Sequence, residues 1–229
     1  MGQNYGPTPR TGESFIGSAP GCTLAIDCFD HISGSSTTSD AIGTNTGSLG
    51  SHVVYTDDGG NKYFAMDGSQ NSIAIDSITL GNGSYTIAIW ARADSLSGTE
   101  HGRLFSNSSG GPVASSYGFC TNGITMTNYD GAWQTHYGGT SLSTGVWYHG
   151  VWANGTGGSN TQIMYLNGAA DITQFASDTT NGGPCNVIGA RWNAGFNGDI
   201  ASFQYFHGTT LTATQISTMY NEQKGRFGL

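Results

Sequence analysis

The sequence predicts an all-β fold, two antiparallel sheets packed face to face with one short C-terminal helix, and three observations predict it. Gly contributes 37 of 229 residues, alongside abundant Ser, Thr and Asn, which is the composition of a chain that turns often. Apolar residues recur at period two: Tyr85, Ile87, Ile89 and Ala91 fall on one face of a segment, with Thr86, Ala88, Trp90 and Arg92 on the other. From Asp199 to Phe206, Ile200, Ser202, Gln204 and Phe206 alternate with Ala201, Phe203 and Tyr205. The period changes only after Leu211. There Thr212 can cap a first turn, Gln215 can reach back to it, Ile216, Met219 and Tyr220 form one apolar stripe, and Gly225 fits a stop.

Taken in order, residues 1–20 form an extended Gly- and Pro-containing arm without periodicity, and 21–229 form one domain. The first strand carries Leu24, Ile26 and Cys28. Ser33 to Gly50 has one charge, Asp40, and no large apolar residues beyond Ile42 and Leu49, so it reads as a surface excursion. Strands follow at His52–Thr56, Lys62–Met66 and Ser72–Asp76. The segment around Tyr85 and the one from Val146 to Ala153 carry apolar bulk on both faces and are central. Between them lie shorter strands at Arg103–Ser106, Ser116–Phe119, Ile124–Asn128 and Trp133–Tyr137. Gln162–Leu166 ends at Asn167-Gly168, a pair suited to a tight hairpin. The expected total is about a dozen strands.

Phe196, Gly198, Ile200, Leu211 and Thr212 resemble the closing strand and helix entry of the LamG-like jelly-roll family, in the concanavalin A-like lectin/glucanase group. The resemblance extends to Lys62–Ser69, Tyr85–Arg92, Gly145–His149 and Met164–Gly168, and covers roughly residues 22 to 222. It implies a two-sheet antiparallel jelly-roll sandwich. Because this fold serves as lectin, adhesion module, enzyme accessory and virion component, it does not choose a function by itself.

Composition narrows the function. A formal charge of -8 with seven Lys and Arg spread along the chain argues against electrostatic nucleic-acid binding. No apolar run approaches the roughly 20 residues of a membrane span, and the opening residues lack the charged start and apolar centre of a secretory signal peptide. Only 10% of residues are charged, against roughly 25% in soluble domains, so the surface is polar but sparsely charged. These features favour a non-enzymatic surface protein of an extracellular assembly, a virion decoration or capsid-surface protein, whose arm contacts neighbouring subunits and whose loops adhere to glycans. The alternative is a secreted carbohydrate-binding, lectin-like module.

Candidate residues follow from chemistry. Glycoside cleavage needs two carboxylates across the bond, and the three Glu, at 13, 100 and 222, offer no pair. The histidines are scattered, with no nucleophile elbow beside them. Trp133, Tyr137, Trp192 and Asn193 lie beside Gly- or Asn-rich turns, where rings can stack on sugars or on a subunit and the amide can bind hydroxyls. Trp90, Trp147 and Trp152 belong to strand interiors. No cofactor is required. Calcium is the ion to weigh, since Asp57, Asp58 and Asn61 carry hard oxygen ligands, although Asp-Asp-Gly-Gly-Asn is equally an ordinary turn. The family's strand often carries an acid after its Ile, where this chain has Ala201. Cys22 and Cys28 lie about 20 Å apart if extended, too far to bridge. Apolar neighbours favour buried free thiols, with pairing to Cys120 or Cys185 left open.

Overall fold

The computed structural model describes residues 21–80, 83–97, 102–106, 115–129, 133–155, 161–176, 184–191 and 194–229; the arm predicted at 1–20 lies outside them. In chain order the strands are β1 Leu24–Asp27, β2 Thr37–Ser39, β3 Thr46–Leu49, β4 Val53–Asp57, β5 Lys62–Asp67, β6 Ile73–Thr79, β7 Tyr85–Ala93, β8 Gly102–Ser106 and β9 Ser116–Cys120. They continue with β10 Gly123–Tyr129, β11 Trp133–Tyr137, β12 Trp147–Asn154, β13 Thr161–Leu166, β14 Ala169–Ala176, β15 Pro184–Ile188, β16 Ala190–Arg191, β17 Ala194–Gly195 and β18 Asn197–His207. Helix α1, Ala213–Gln223, follows.

Two eight-stranded antiparallel sheets face each other. The first runs β14-β13-β12-β7-β18-β5-β4, with β1 also on β18; the second runs β11-β10-β9-β8-β15-β6-β3-β2. Between them lies one apolar core, to which the first sheet contributes Phe64, Ile87, Ile89, Trp152 and Phe203, and the second contributes Ile73, Phe105, Tyr117, Phe119 and Ile124. The jelly-roll sandwich expected from the sequence is therefore the fold observed.

The sequence reading expected about a dozen strands with Cys28 in the first; the described residues form eighteen, and Cys28 opens a 3-10 turn, Cys28–Asp30. Three further details differ. Ser33 to Gly50 is not a mere excursion: β2 and β3 extend the second sheet, with Thr38 and Gly47 buried. Their small residues gave no apolar alternation, and Gly47 fits because a Cβ there would meet Ile73 and Thr38. Within β18 the strict alternation breaks at a bulge between Ile200 and Ser202. The extra residue keeps Ile200 in the intersheet core with Phe203 and Tyr205, and puts Ala201 against Trp90, Trp147 and Phe227 on the other side. The helix does begin at a Thr212–Gln215 capping box, but it runs on through a 3-10 turn, Lys224–Phe227, and the left-handed residue that ends it is Gly228 rather than Gly225.

That C-terminal segment covers the outer face of the first sheet. Leu211, Ile216 and Met219 pack on Ala88, Val151, Tyr165 and Phe206. Beside them Trp90 stacks on Phe227 at 4.3 Å and donates its indole N–H to Gln223 at 2.6 Å. Arg226 reaches over Phe29 to Asp27, 3.2 Å away and buried. Burial raises the Asp27 carboxyl above its ordinary range, against the opposing pull of Arg226.

Under this cover His149 is fully buried in a triad of near-parallel rings with Trp90 at 5.0 Å and Tyr220 at 6.2 Å, and neither ring nitrogen has a hydrogen-bond partner. Desolvation pushes its pKa down to about 3. The unfolded chain protonates this imidazole near pH 6.5 while the folded chain does not, so stability falls as pH drops through that interval. Unfolding free energies from urea titrations of the wild type and of His149→Phe, compared from pH 7 to 4, should diverge by up to about 1.4 kcal/mol per pH unit, the wild type losing more. A gap that stays constant with pH would sink this account.

Cys28, Cys120 and Cys185 are buried and Cys22 is half-buried, and all four are free thiols. Burial pushes Cys22 and Cys185 up to about 12 and raises Cys28 and Cys120. Since the thiolate is the reactive form, a thiol reagent at pH 8 should leave the folded chain almost unlabelled and titrate all four cysteines in denaturant. Two reactive thiols instead of four would indicate a disulfide.

Candidate functional site

With the helix on the first sheet, the outer face of the second sheet is the face to examine. Register fixes its residues, because partners across an antiparallel pair project to one side. Phe105 opposes Tyr117 in the core, so the next pair, Ser106 and Ser116, points outward. Thr127 opposes Ser116, and Thr135 opposes Thr127. In the other direction Val187 opposes Ser106, Ala74 opposes Val187, Ser48 opposes Ala74, and Thr37 opposes Ser48. One row of mainly small hydroxyl side chains therefore crosses all eight strands. Beside it lies a second row, Arg103, Gly118, Thr125 and Tyr137.

The rows are exposed at β2 and β3, buried over β8 to β10 and half-buried at β11. Arg103 is 4% exposed and donates to the Ser116 hydroxyl. The Ser106 hydroxyl donates to the Ala190 carbonyl at 2.5 Å, and the Thr127 and Thr135 hydroxyls lie 3.1 Å apart. Gly118 is demanded by the close approach of β8, since a Cβ there would lie 2.3 Å from the Gly102 carbonyl. Packed against β8, the small β16–β17 hairpin adds the buried Arg191.

Hydroxyls on adjacent strands stand about 4.8 Å apart, and each donates once and accepts twice. The exposed and half-buried ends of such a row suit a polyhydroxylated ligand. The face does not suit acid–base cleavage: Asp76, exposed on β6, is the only acidic side chain on this face among the described residues, and no described histidine shares it. His136 pairs with Met126 on the core side of β11, and burial lowers its pKa.

The residues singled out from sequence fall as follows. Trp133 opens β11, its backbone paired with Tyr129; its side chain is not among those described. Tyr137 closes β11, half-buried and paired with Thr125 in the second row. Trp192 and Asn193 lie outside the described residues, between β16 and β17. Trp90, Trp147 and Trp152 are buried. Asp57 and Asp58 shape a turn: Asp57 accepts the Gly59 amide, and Asp58 accepts those of Gly60 and Asn61 at 3.2 and 2.7 Å. The Gly59 hydrogen bond holds the Asp57 carboxyl below its ordinary range. Among the described residues no group of three or more His, Cys, Asp and Glu stands together to hold a metal. Sequence reasoning missed Ser106, Ser116, Thr127 and Arg103, although the alternation in Ser116-Tyr-Gly-Phe-Cys120 carries the signal.

A family profile described as the Concanavalin A-like lectin/glucanases superfamily matches residues 67–217. The chain belongs to this superfamily. Among solved structures of similar fold is Domain 4 of AbnA, a GH43 extracellular arabinanase from Geobacillus stearothermophilus, in complex with arabinotriose. It has a TM-score of 0.66 at 18% identity, over 87% of this chain and 98% of that one. The binding domain of botulinum neurotoxin DC, in complex with rat synaptotagmin II, gives 0.62 at 14% identity, over 88% of this chain and 51% of that one. Trypanosoma rangeli sialidase gives 0.59 at 13%, over 91% and 34%. This superfamily member thus spans about half of the toxin domain and a third of the sialidase, and at these identities the likeness is one of fold. No curated protein matches its sequence.

Proposed function

We propose that the chain is a non-enzymatic glycan-binding module whose ligand lies along the outer face of the second sheet, entering from the β11 edge. The observation that carries this reading is the row of mainly hydroxyl side chains from Thr37 to Thr135, with Arg103, Thr125 and Tyr137 beside it, on the sheet face that has no helix, exposed at β2 and β3 and half-buried at β11. Superfamily membership and the arabinotriose complex of the arabinanase domain support a sugar as the ligand class. That Asp76 is the one carboxylate on the face among the described residues supports binding without cleavage, and on this reading recognition needs no metal.

A glycan array that includes arabinans, galactans and β-glucans should yield a ligand. Thr135→Val with Tyr137→Ala, both at the half-buried edge, should weaken it roughly tenfold, the equivalent of one hydrogen bond and a ring contact, without lowering the melting temperature. Binding should survive EDTA. An array without a hit, or release of reducing sugar from any of these polymers, overturns the proposal.

The sparsely charged surface and the Gly- and Pro-containing arm favour a compatible second reading, display on an extracellular assembly such as a virion, with residues 1–20 contacting neighbouring subunits. Light scattering on the full chain should then give a multimer that falls to 23.9 kDa or less when residues 1–20 are removed. Monomers in both cases would discard assembly through the arm.

A further inference from the structure

A second surface carries ligand chemistry of its own. On the outer face of the first sheet, beyond the reach of α1, an open groove of about 540 Å3 runs where β4, β5 and β18 meet the end of β7. That volume lies within the range of small-molecule clefts, about 300–1,000 Å3. Its wall is built from Ser51, His52, Val54, Asp67, Asp94 and Asn197.

The wall is held in place from behind. His52 Nδ1 lies 2.7 Å from Asp67 Oδ2, with both side chains 53% exposed, and Asp67 also accepts the Ser69 amide at 2.9 Å. The Ser69 and His52 hydrogen bonds hold the Asp67 carboxyl far below its ordinary range, so it stays ionised. The Asp94 amide donates to the Asn197 carbonyl, and the Asn197 side-chain amide donates to Ser95. Gly68, at φ +80, leaves room for Asn197, whose Cβ would lie 3.2 Å from any Cβ added there. Next to the groove Arg92 is neutralised by Asp199 at 2.6 Å.

Three properties of this wall define its ligand. The Asp94 side chain is exposed and its carboxylate makes no hydrogen bond within the described residues, so both oxygens remain to accept neighbouring hydroxyls. Val54 is 58% exposed, an apolar patch for a C–H face amid polar groups. Asp67 and Asp94 give the groove a negative balance even when His52 is protonated, which repels anions.

From these features we infer that the groove is a second sugar subsite, specific for a neutral sugar with adjacent hydroxyls, held by Asp94, Asn197 and His52 over Val54. This rests on the glycan-binding reading above but concerns the opposite sheet. The test is a 15N-resolved NMR titration of the full chain with arabinotriose, galactose and glucose, and with N-acetylneuraminic acid as the anionic counterpart. Amide shifts at Ser51–Val54, Asp94 and Asn197 are expected with at least one neutral sugar, weakened about fivefold or more in Asp94→Ala, whose exposed position spares the fold. His52→Ala should weaken them independently. Shifts confined to β8–β11 would overturn the groove and leave the proposed function standing. Shifts at neither surface would overturn both. A response in the groove to the anionic sugar alone would overturn the ligand class.

Discussion

Burial of β7 and β18 on both faces is the constraint from which the rest of the molecule follows. Their inward residues, Ile87, Ile89, Phe203 and Tyr205, need the second sheet, while Ala88, Trp90, Ala201 and Phe206 need a separate cover on the outside. Each large apolar side chain left in water would forfeit about 1.5–3 kcal/mol, so neither cover is optional. The outer cover is α1 with its 3-10 extension. That cover in turn must seat polar groups at depth: Trp90 has Gln223, Asp27 has Arg226, and His149 has only the stacking of its neighbours. An unpaired buried group costs roughly 1–3 kcal/mol. The apolar contact around His149 has to exceed that.

Placing the cover on one sheet produces the asymmetry that matters for function. The second sheet receives no helix, so its outer face carries Ser106, Ser116, Thr125, Thr127 and Arg103 where the first sheet carries Ala88, Trp90, Val151 and Phe206. Polar side chains on a sheet face without a helix are ordinary. Polar side chains that are also buried there, linked hydroxyl to guanidinium and hydroxyl to hydroxyl, are the informative case, because groups withdrawn from water retain their hydrogen bonds only when partners are arranged around them.

Much of the fold was legible in the sequence because it rests on local rules. Period-two alternation marked β7 and β12, the Thr212–Gln215 box marked the start of α1, and Asn167-Gly168, both at positive φ, marked the β13–β14 hairpin. What was illegible depends on contacts between distant segments. β2 and β3 are built from Thr, Ser and Gly and are strands only because β6 offers an edge. The bulge at Ala201 is set by the demand that both Asp199 and Phe203 keep their places opposite β7. The candidate site was less legible still. Its rows are assembled from one residue per strand, so no stretch of sequence contains them, and attention went to aromatic residues near turns. Of these, Tyr137 joins the second row. The groove was equally hidden, since His52, Asp67, Asp94 and Asn197 come from four separate segments joined only by register.

The two polar surfaces lie on opposite outer faces of a sandwich whose sheets are packed about 10 Å apart before the outward side chains are counted. A short oligosaccharide cannot engage both. Two such sites on one domain would instead contact separate chains of a glycan-rich surface, where the second contact forms at an effective concentration set by the first. Weak individual recognition by hydroxyl rows and an open groove is then compatible with firm attachment. Both surfaces are positioned by the one intersheet core, the groove over Val53, Phe64 and Met66 and the rows over Phe105, Tyr117 and Phe119, so a change in that core would be felt at both.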